Sequence, residues 1–360
     1  MTNLLVWSHN ETVKSWRHHR EKILATSEGN PPWPQMIICS LATGAPLILG
    51  LWQGNIGFAI YASLLGYLVS LNDHLGGLGH RLWVGTLSFI GLFAAFSLGI
   101  ALHENLLLYQ LVFLTLTYWL GLMGGRGAEV ERLILFSLAE LLLGYYGRRL
   151  SLQGIGPLAI YGFLAYAVII AGMFISHQFS YEKNLQHARL RQSLQISWTF
   201  SRSRHLYALS FMLTVGSAIF YVQYFELDRG YWLIMTILLI LRPDRQETVY
   251  RSLQRFLGTV AGIVVGEGII ALVYSDVILL AGVMIAAFFI PLAAKRNYWI
   301  LTFFISIVVI FLMSFPELGQ LDLHLPWLRI QATFLGCLFC VFGALLFKGL
   351  ERIFAAHQKI

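Results

Sequence analysis

The chain has 360 residues, of which 57% are hydrophobic and 12% are charged, and its mean hydropathy is +0.68. Soluble domains carry about 25% charged residues, so the composition excludes an ordinary soluble domain and predicts an all-α integral membrane protein. The net charge of +7 needs no nucleic-acid partner, because basic loops also lie against anionic membrane lipid.

Residues 1–35 are polar and basic, and they contain no apolar stretch of the signal-peptide type. Val13, Trp16, Ile23 and Leu24 stand among their basic residues, a pattern that fits a short amphipathic helix on the inner membrane surface and equally fits a frayed tail. In either case the segment is predicted to be a cytoplasmic N-terminal tail.

Twelve apolar runs follow, and each is predicted to form a helix. A helix needs about 20 residues to cross a membrane, and most of the runs reach that length, although 133–147 and 231–241 are short. The runs cover approximately 36–52, 55–71, 82–102, 105–123, 133–147, 157–176, 206–225, 231–241, 256–274, 277–293, 298–315 and 328–348.

The runs form two blocks of six, residues 36–176 and 206–348, with a basic cytoplasmic linker at 177–205 and a C-terminal tail at 349–360. An even number of spans per block predicts two parallel six-helix repeats. The positive-inside rule then places both termini in the cytoplasm. Outside the loops and tails predicted as cytoplasmic, the Lys and Arg residues are Arg148, Arg149, Arg229 and Arg329.

One pattern of a cation, a hydroxyl and small residues occurs twice in the second block. Steps of four, seven and eleven residues fall on one face of a helix. The pattern therefore predicts two narrow polar stripes inside apolar helices. The first stripe is Arg255, Thr259, Gly262 and Gly266, and the second is Arg329, Thr333, Gly336 and Cys340.

The arginines of these stripes are candidate substrate-binding residues, because a guanidinium offers a planar fork that matches a carboxylate. Arg81 opens the third run of the first block as Arg255 opens that of the second, so it joins the same set. Thr259, Gly262 and Thr333 would line the path. The alternatives are close helix packing through the small residues and, for Arg329, snorkelling to the outer head groups.

Acidic residues provide a second set of candidates. Glu140 and Glu267 are the acids embedded in apolar runs, and each fits either a proton carrier or a neutral carboxyl that hydrogen-bonds between helices. Asp73 and Asp244 follow the second span of each block. They would either pair with Arg81 and Arg255 to close a cytoplasmic gate, or remain solvated loop charges.

The stretch from Tyr231-Trp232 to Leu241-Arg242-Pro243-Asp244, followed by Arg255-Phe-Leu-Gly-Thr259, resembles the fusaric acid resistance family, which includes aromatic acid exporters. Arg296-Asn297-Tyr298-Trp299 is similar to a further stretch of that family. The resemblance implies export of small, often aromatic, carboxylic acids across a bacterial inner membrane. Larger exporters of this kind work with periplasmic partner proteins, whereas distantly similar plant organic-anion channels work as dimers, so a homo-oligomer is a further possibility.

Three classes of function therefore compete: a proton-coupled secondary exporter of small organic acids, an organic-anion channel, and a membrane scaffold that transports nothing. Intramembrane acids favour the exporter, because a passive pore needs no proton carrier. No spacing of a nucleophile, a base and an orienting group is present, so an enzyme is not predicted. Cys337-x-x-Cys340 has the spacing of a redox or metal motif, but no further His or Cys lies at zinc spacing. The preferred interpretation is small polarizable residues in a membrane helix, and neither a metal nor another cofactor is expected.

Overall fold

The computed structural model describes residues 30–73, 77–124, 128–147, 154–179, 201–273, 275–315 and 324–356, and these residues form twelve α-helices. The amphipathic helix predicted in the N-terminal tail lies outside them, as does most of the basic linker. The helices are α1 Trp33–Gln53, α2 Ile56–Leu71, α3 Leu78–Ala101, α4 Leu106–Met123, α5 Ala128–Tyr146, α6 Ile155–Phe179, α7 Arg202–Tyr224, α8 Tyr231–Ile240, α9 Arg245–Leu272, α10 Asp276–Arg296, α11 Tyr298–Met313 and α12 Leu325–Ala356.

Each predicted apolar run corresponds to one helix, but several helices begin earlier than hydropathy indicates. The largest difference is in α9, which begins at Arg245 instead of near residue 256. Its start is fixed by Asp244, whose side chain accepts a hydrogen bond from the backbone N–H of Gln246 at 3.0 Å. Hydropathy alone does not detect this start, because the first turns of α9 are polar and precede the apolar run.

Eight of the helices are long and apolar enough to cross a membrane, so the chain is a multi-pass membrane protein. The other four are α2, α5, α8 and α11, the second and fifth helices of each group of six. These helices lie inside the bundle: α8 has only ten residues, and most of them are buried. A short helix can be enclosed by longer neighbours that meet the lipid, and interrupted or short spans commonly border transport sites.

The helices pack in the same pairs in both groups of six. In the first group α3 packs on α5, and α6 packs on α1 and α2. In the second group α9 packs on α11, and α12 packs on α7 and α8. The groups meet where α1 lies against α10, where α4 lies against α7, and where α5 lies against α8.

Glycines allow the closest of these approaches. A Cβ atom on Gly262 would lie 2.5 Å from the carbonyl oxygen of Phe303 and 2.8 Å from Cβ of Ser306, and Gly258 meets the backbone of Trp299 in the same way. Small residues let helix backbones meet in lipid, where van der Waals packing drives association. Gly258 and Gly262, the second of which belongs to the first stripe, therefore form a seam between α9 and α11.

Gly262→Ala is expected to destabilise the protein by about 1–3 kcal/mol, because the added methyl group overpacks this seam. Gly268→Ala is the matched control in the same helix, since nothing lies within 4 Å of a Cβ atom built there. Unfolding of the detergent-solubilised variants measures both effects. Equal stability of the two variants would contradict the seam.

Candidate functional site

The guanidinium of Arg255 lies on the inward face of α9. Arg255 is 4% exposed, and Thr259 on the next turn is fully buried, whereas Leu257 and Val264 on the opposite face are exposed. The Nε and Nη1 atoms of Arg255 have no hydrogen-bond partner among the residues that the structure describes. Buried polar groups are almost always paired in proteins, so a guanidinium with two unused donor atoms keeps Arg255 a candidate binding residue.

Further hydroxyl groups without partners lie on α9 and α11. The buried hydroxyls of Thr259, Tyr298 and Ser306 have no hydrogen-bond partner in the described part of the chain. Arg255 interacts electrostatically with the phenol groups of Tyr298 and of Tyr67, the latter on α2 of the first group. The guanidinium therefore lies within electrostatic range of phenol groups in both groups of helices.

Sequence reasoning missed Tyr298 and Ser306 as candidate site residues. Asn297 begins α11 by accepting a hydrogen bond from the backbone N–H of Trp299 at 3.0 Å, and this cap places Tyr298 in the first turn. Thr302 and Ser306 then follow four residues apart, a spacing that puts both on one helix face. A pair of hydroxyl residues at helical spacing inside an apolar run was the signal available in the sequence.

Arg329 lies inside the bundle. It is 4% exposed, and its guanidinium lies 5.1 Å from the centre of the Trp232 ring. Its Nε atom has no hydrogen-bond partner among the residues that the structure describes. The alternative in which Arg329 snorkels to the outer head groups is therefore wrong, because a snorkelling side chain is exposed at its charged end. Instead, a cation–π contact holds the guanidinium against α8.

The rest of the second stripe packs against a neighbouring helix. Thr333 is buried, and a Cβ atom on Gly336 would lie 2.7 Å from Cβ of Thr236 and 3.0 Å from the backbone oxygen of Leu233. Both stripes thus have a cationic end with unused donor atoms and a small-residue end that seats another helix.

The first group of helices contains a different arginine site. Arg81 donates from Nε to Oδ1 of Asp73 at 2.8 Å and from Nη2 to Oδ2 at 2.7 Å, and its Nη1 donates to Oγ of Ser176 at 3.0 Å. Burial raises the pKa of the Asp73 carboxyl, and its contact with Arg81 opposes that shift. The predicted pairing of Asp73 with Arg81 is present, and all three nitrogens of Arg81 already bind protein atoms. The reading of Arg81 as a substrate-binding residue therefore loses its basis.

The second predicted pairing, between Asp244 and Arg255, is absent from the described residues. Asp244 is an exposed helix cap. Arg255 follows it by eleven positions, which corresponds to about 16 Å along the helix axis. Arg242 makes the ion pair in this region: its Nη1 lies 2.8 Å from Oε1 of Glu131 in the first turn of α5, so this bridge joins the two groups of helices.

The two candidate proton carriers occupy different surroundings. Glu140 is completely buried on α5, which packs against α3, α4 and α8, and neither of its carboxyl oxygens has a hydrogen-bond partner among the described residues. Glu267 is only partly buried, next to the exposed residues Val264 and Gly268 of α9. The interhelical hydrogen bond considered for Glu140 is not present, and Glu140 is the more enclosed of the two acids.

Residues 217–343 match the family described as "Fusaric acid resistance protein-like". The match covers 127 of the 360 residues, so this part of the chain is similar to that family. The matched region runs from α7 into α12 and includes Arg255, Tyr298 and Arg329, whereas Arg81 and Glu140 lie outside it.

Curated relatives match over part of the chain. The chain is 32% identical over 140 residues to the inner membrane protein YccS of Escherichia coli, which covers 37% of this chain and 18% of that protein. It is 32% identical over 116 residues to an uncharacterised protein of Haemophilus influenzae, which covers 32% of this chain and 16% of the relative. The matches thus span less than a fifth of either relative. No solved structure matches the chain.

Proposed function

We propose that the chain is a secondary transporter that exports small organic carboxylic acids, aromatic ones among them, in exchange for protons. The observation that carries the proposal is the buried Arg255 guanidinium, two of whose donor atoms have no partner. An uncompensated charge inside a membrane protein is costly and marks a functional site. An anion bound in transit would offset that cost.

A carboxylate suits this place better than a simple inorganic anion. The guanidinium provides a planar fork for two carboxylate oxygens, and the hydroxyls of Thr259 and Tyr298 provide further donors. The Trp232 ring lies against Arg329, and Tyr67 and Tyr298 lie within electrostatic range of Arg255, so an aromatic ring in the ligand would find aromatic side chains near both arginines. The family description agrees with an acidic ligand, since it names resistance to an acid.

The proposed architecture consists of two parallel repeats of six helices. It is supported by the equal pairing of helices within the two groups and by the reciprocal contacts of α1 with α10 and α4 with α7. The distribution of Lys and Arg favours cytoplasmic termini in a bacterial inner membrane, the location given in the name of the Escherichia coli relative. Association into a homo-oligomer and dependence on periplasmic proteins remain predictions.

Reconstitution into liposomes tests the function directly. With benzoate as the probe and a pH gradient across the membrane, the purified full chain is expected to accumulate benzoate against its concentration gradient. Empty liposomes give the background from passive permeation of benzoic acid. Large single-channel currents in planar bilayers would instead support an organic-anion channel. A protein that moves no anion, with or without the gradient, would support the scaffold.

Glu140→Gln is expected to abolish accumulation driven by the pH gradient, because the amide keeps the shape of the side chain but cannot take up and release a proton. Benzoate moving down its own gradient should still be carried. Glu267→Gln is the control, since that carboxyl is only partly enclosed. Flux under the two gradients, measured at matched protein abundance, separates the variants; accumulation that survives in Glu140→Gln contradicts the assignment.

A further inference from the structure

Two buried arginines lack a carboxylate partner in the described part of the chain, and both belong to the repeated stripes. Arg81 is paired with Asp73, Arg242 with Glu131, and Arg251 with Glu247. By contrast, Arg255 and Arg329 appear in no ion pair and retain unpartnered donor atoms.

These two cations also lie close enough to repel each other electrostatically. The register of α9 against α12 agrees: Sγ of Cys337 lies 3.4 Å from the backbone oxygen of Ser252, and the rings of Phe256 and Phe334 are 6.0 Å apart. These contacts pair Ser252 with Cys337 and Phe256 with Phe334, so α9 and α12 run antiparallel. At this register Arg329 lies about 8 Å farther along the axis of α9 than Arg255. Two long side chains easily bridge much of that interval.

We propose that the site takes a small organic dianion, a dicarboxylate, with one carboxylate on Arg255 and the other on Arg329. A single carboxylate would compensate one guanidinium and leave the second unpaired and buried, which is unfavourable. The Trp232 ring beside Arg329 and the Tyr298 ring near Arg255 give the middle of the ligand an apolar or aromatic character.

This inference rests on the proposed function and narrows its substrate class. The test compares binding of terephthalate, with two carboxylates, and benzoate, with one, to the purified full chain in detergent by isothermal titration calorimetry. Terephthalate should bind about ten- to a hundredfold more tightly, the effect of one additional charge-assisted hydrogen-bonded contact. It should also bind with one molecule per chain.

Arg329→Gln should bring the terephthalate affinity down to that of benzoate, whereas Arg251→Gln, an ion-paired residue at the start of the helix, should leave the preference unchanged. If the parent chain binds benzoate and terephthalate equally, or binds two benzoates per chain with the same total affinity, the dianion inference is wrong, while loss of benzoate binding in Arg255→Gln still supports the proposed site. If Arg255→Gln leaves benzoate binding intact, the proposed site itself is wrong.

Folding of the variants does not decide the result, because the preference for terephthalate is first measured on the parent chain. Arg329→Lys is a second variant that keeps the cation beside Trp232. It should retain a preference for terephthalate smaller than that of the parent and larger than that of Arg329→Gln. A preference that is the same in all three proteins overturns the role of Arg329.

Discussion

Arg255→Lys is expected to weaken transport of the organic acid about ten- to a hundredfold in apparent affinity, while the protein still inserts and folds. Lysine keeps the positive charge but loses the planar fork that holds two carboxylate oxygens. A charge-assisted hydrogen bond is worth roughly 1.5–3 kcal/mol, which corresponds to that range of affinity. Because the Nε and Nη1 atoms of Arg255 have no hydrogen-bond partner among the described residues, the effect should appear in transport and not in stability.

The matched control is Arg251→Lys, one helical turn earlier on the same helix. Arg251 is partly exposed, pairs with Glu247 at 2.9 Å and lies over the Tyr298 ring at 5.4 Å. A lysine can keep both contacts, so transport should change little. The measurement is initial flux against benzoate concentration in liposomes with equal amounts of each variant. If both variants behave like the parent chain, Arg255 only marks the cytoplasmic side of the membrane.

The helices of this protein are predictable from sequence because each buries an apolar segment long enough to be read by hydropathy. Their polar ends are less visible: α9 begins at Arg245 because of the Asp244 cap, and α5 begins at Ala128 with Glu129 and Glu131 in its first turn. Such turns depend on capping and on ion pairs with other helices. The contact of Arg242 with Glu131 is an example, since it joins positions 111 residues apart.

The candidate site was only partly predictable. The spacing of Arg255 and Arg329 marked both residues, because periodicity places residues on a helix face. It does not show which helix that face meets. For this reason the sequence is compatible both with a binding site at Arg329 and with a contact to lipid head groups. The position of Arg329 over the Trp232 ring of α8 distinguishes the two. Tyr67 and Tyr298 converge on Arg255 from separate helices, and that convergence requires knowledge of the packing.

The same limit explains the unequal outcome for the two predicted gates. Asp73 and Arg81 are eight residues apart on either side of a short connection, so the chain itself brings them together. Asp244 and Arg255 lie on one continuous helix, whose rigid rise keeps them apart. The pairing in the first group therefore reflects local chain geometry. A role of this ion pair as a gate remains a prediction. Measurements of both stability and transport can distinguish such a role from a purely structural one.

Asp73→Ala is expected to destabilise the protein by about 3–5 kcal/mol, because it leaves the buried Arg81 guanidinium without its bidentate partner. Asp73 is 4% exposed and Arg81 is 3% exposed, so solvent compensates little of this loss. The double variant Asp73→Ala/Arg81→Met should recover much of the stability, since it removes both charges and keeps an unbranched apolar side chain on α3.

Unfolding of the three proteins in detergent, followed by circular dichroism, gives the two free-energy differences. A mild effect of Asp73→Ala, close to that of the double variant, would mean that water or another group already compensates Arg81. The comparison with Arg255→Gln is informative in the same experiment. That substitution removes a buried guanidinium with two donor atoms that have no partner in the described part of the chain, so it should leave stability unchanged or raise it. If Asp73→Ala lowers the free energy of unfolding while Arg255→Gln leaves it unchanged or raises it, Arg81 is a structural residue and Arg255 is available to an anion.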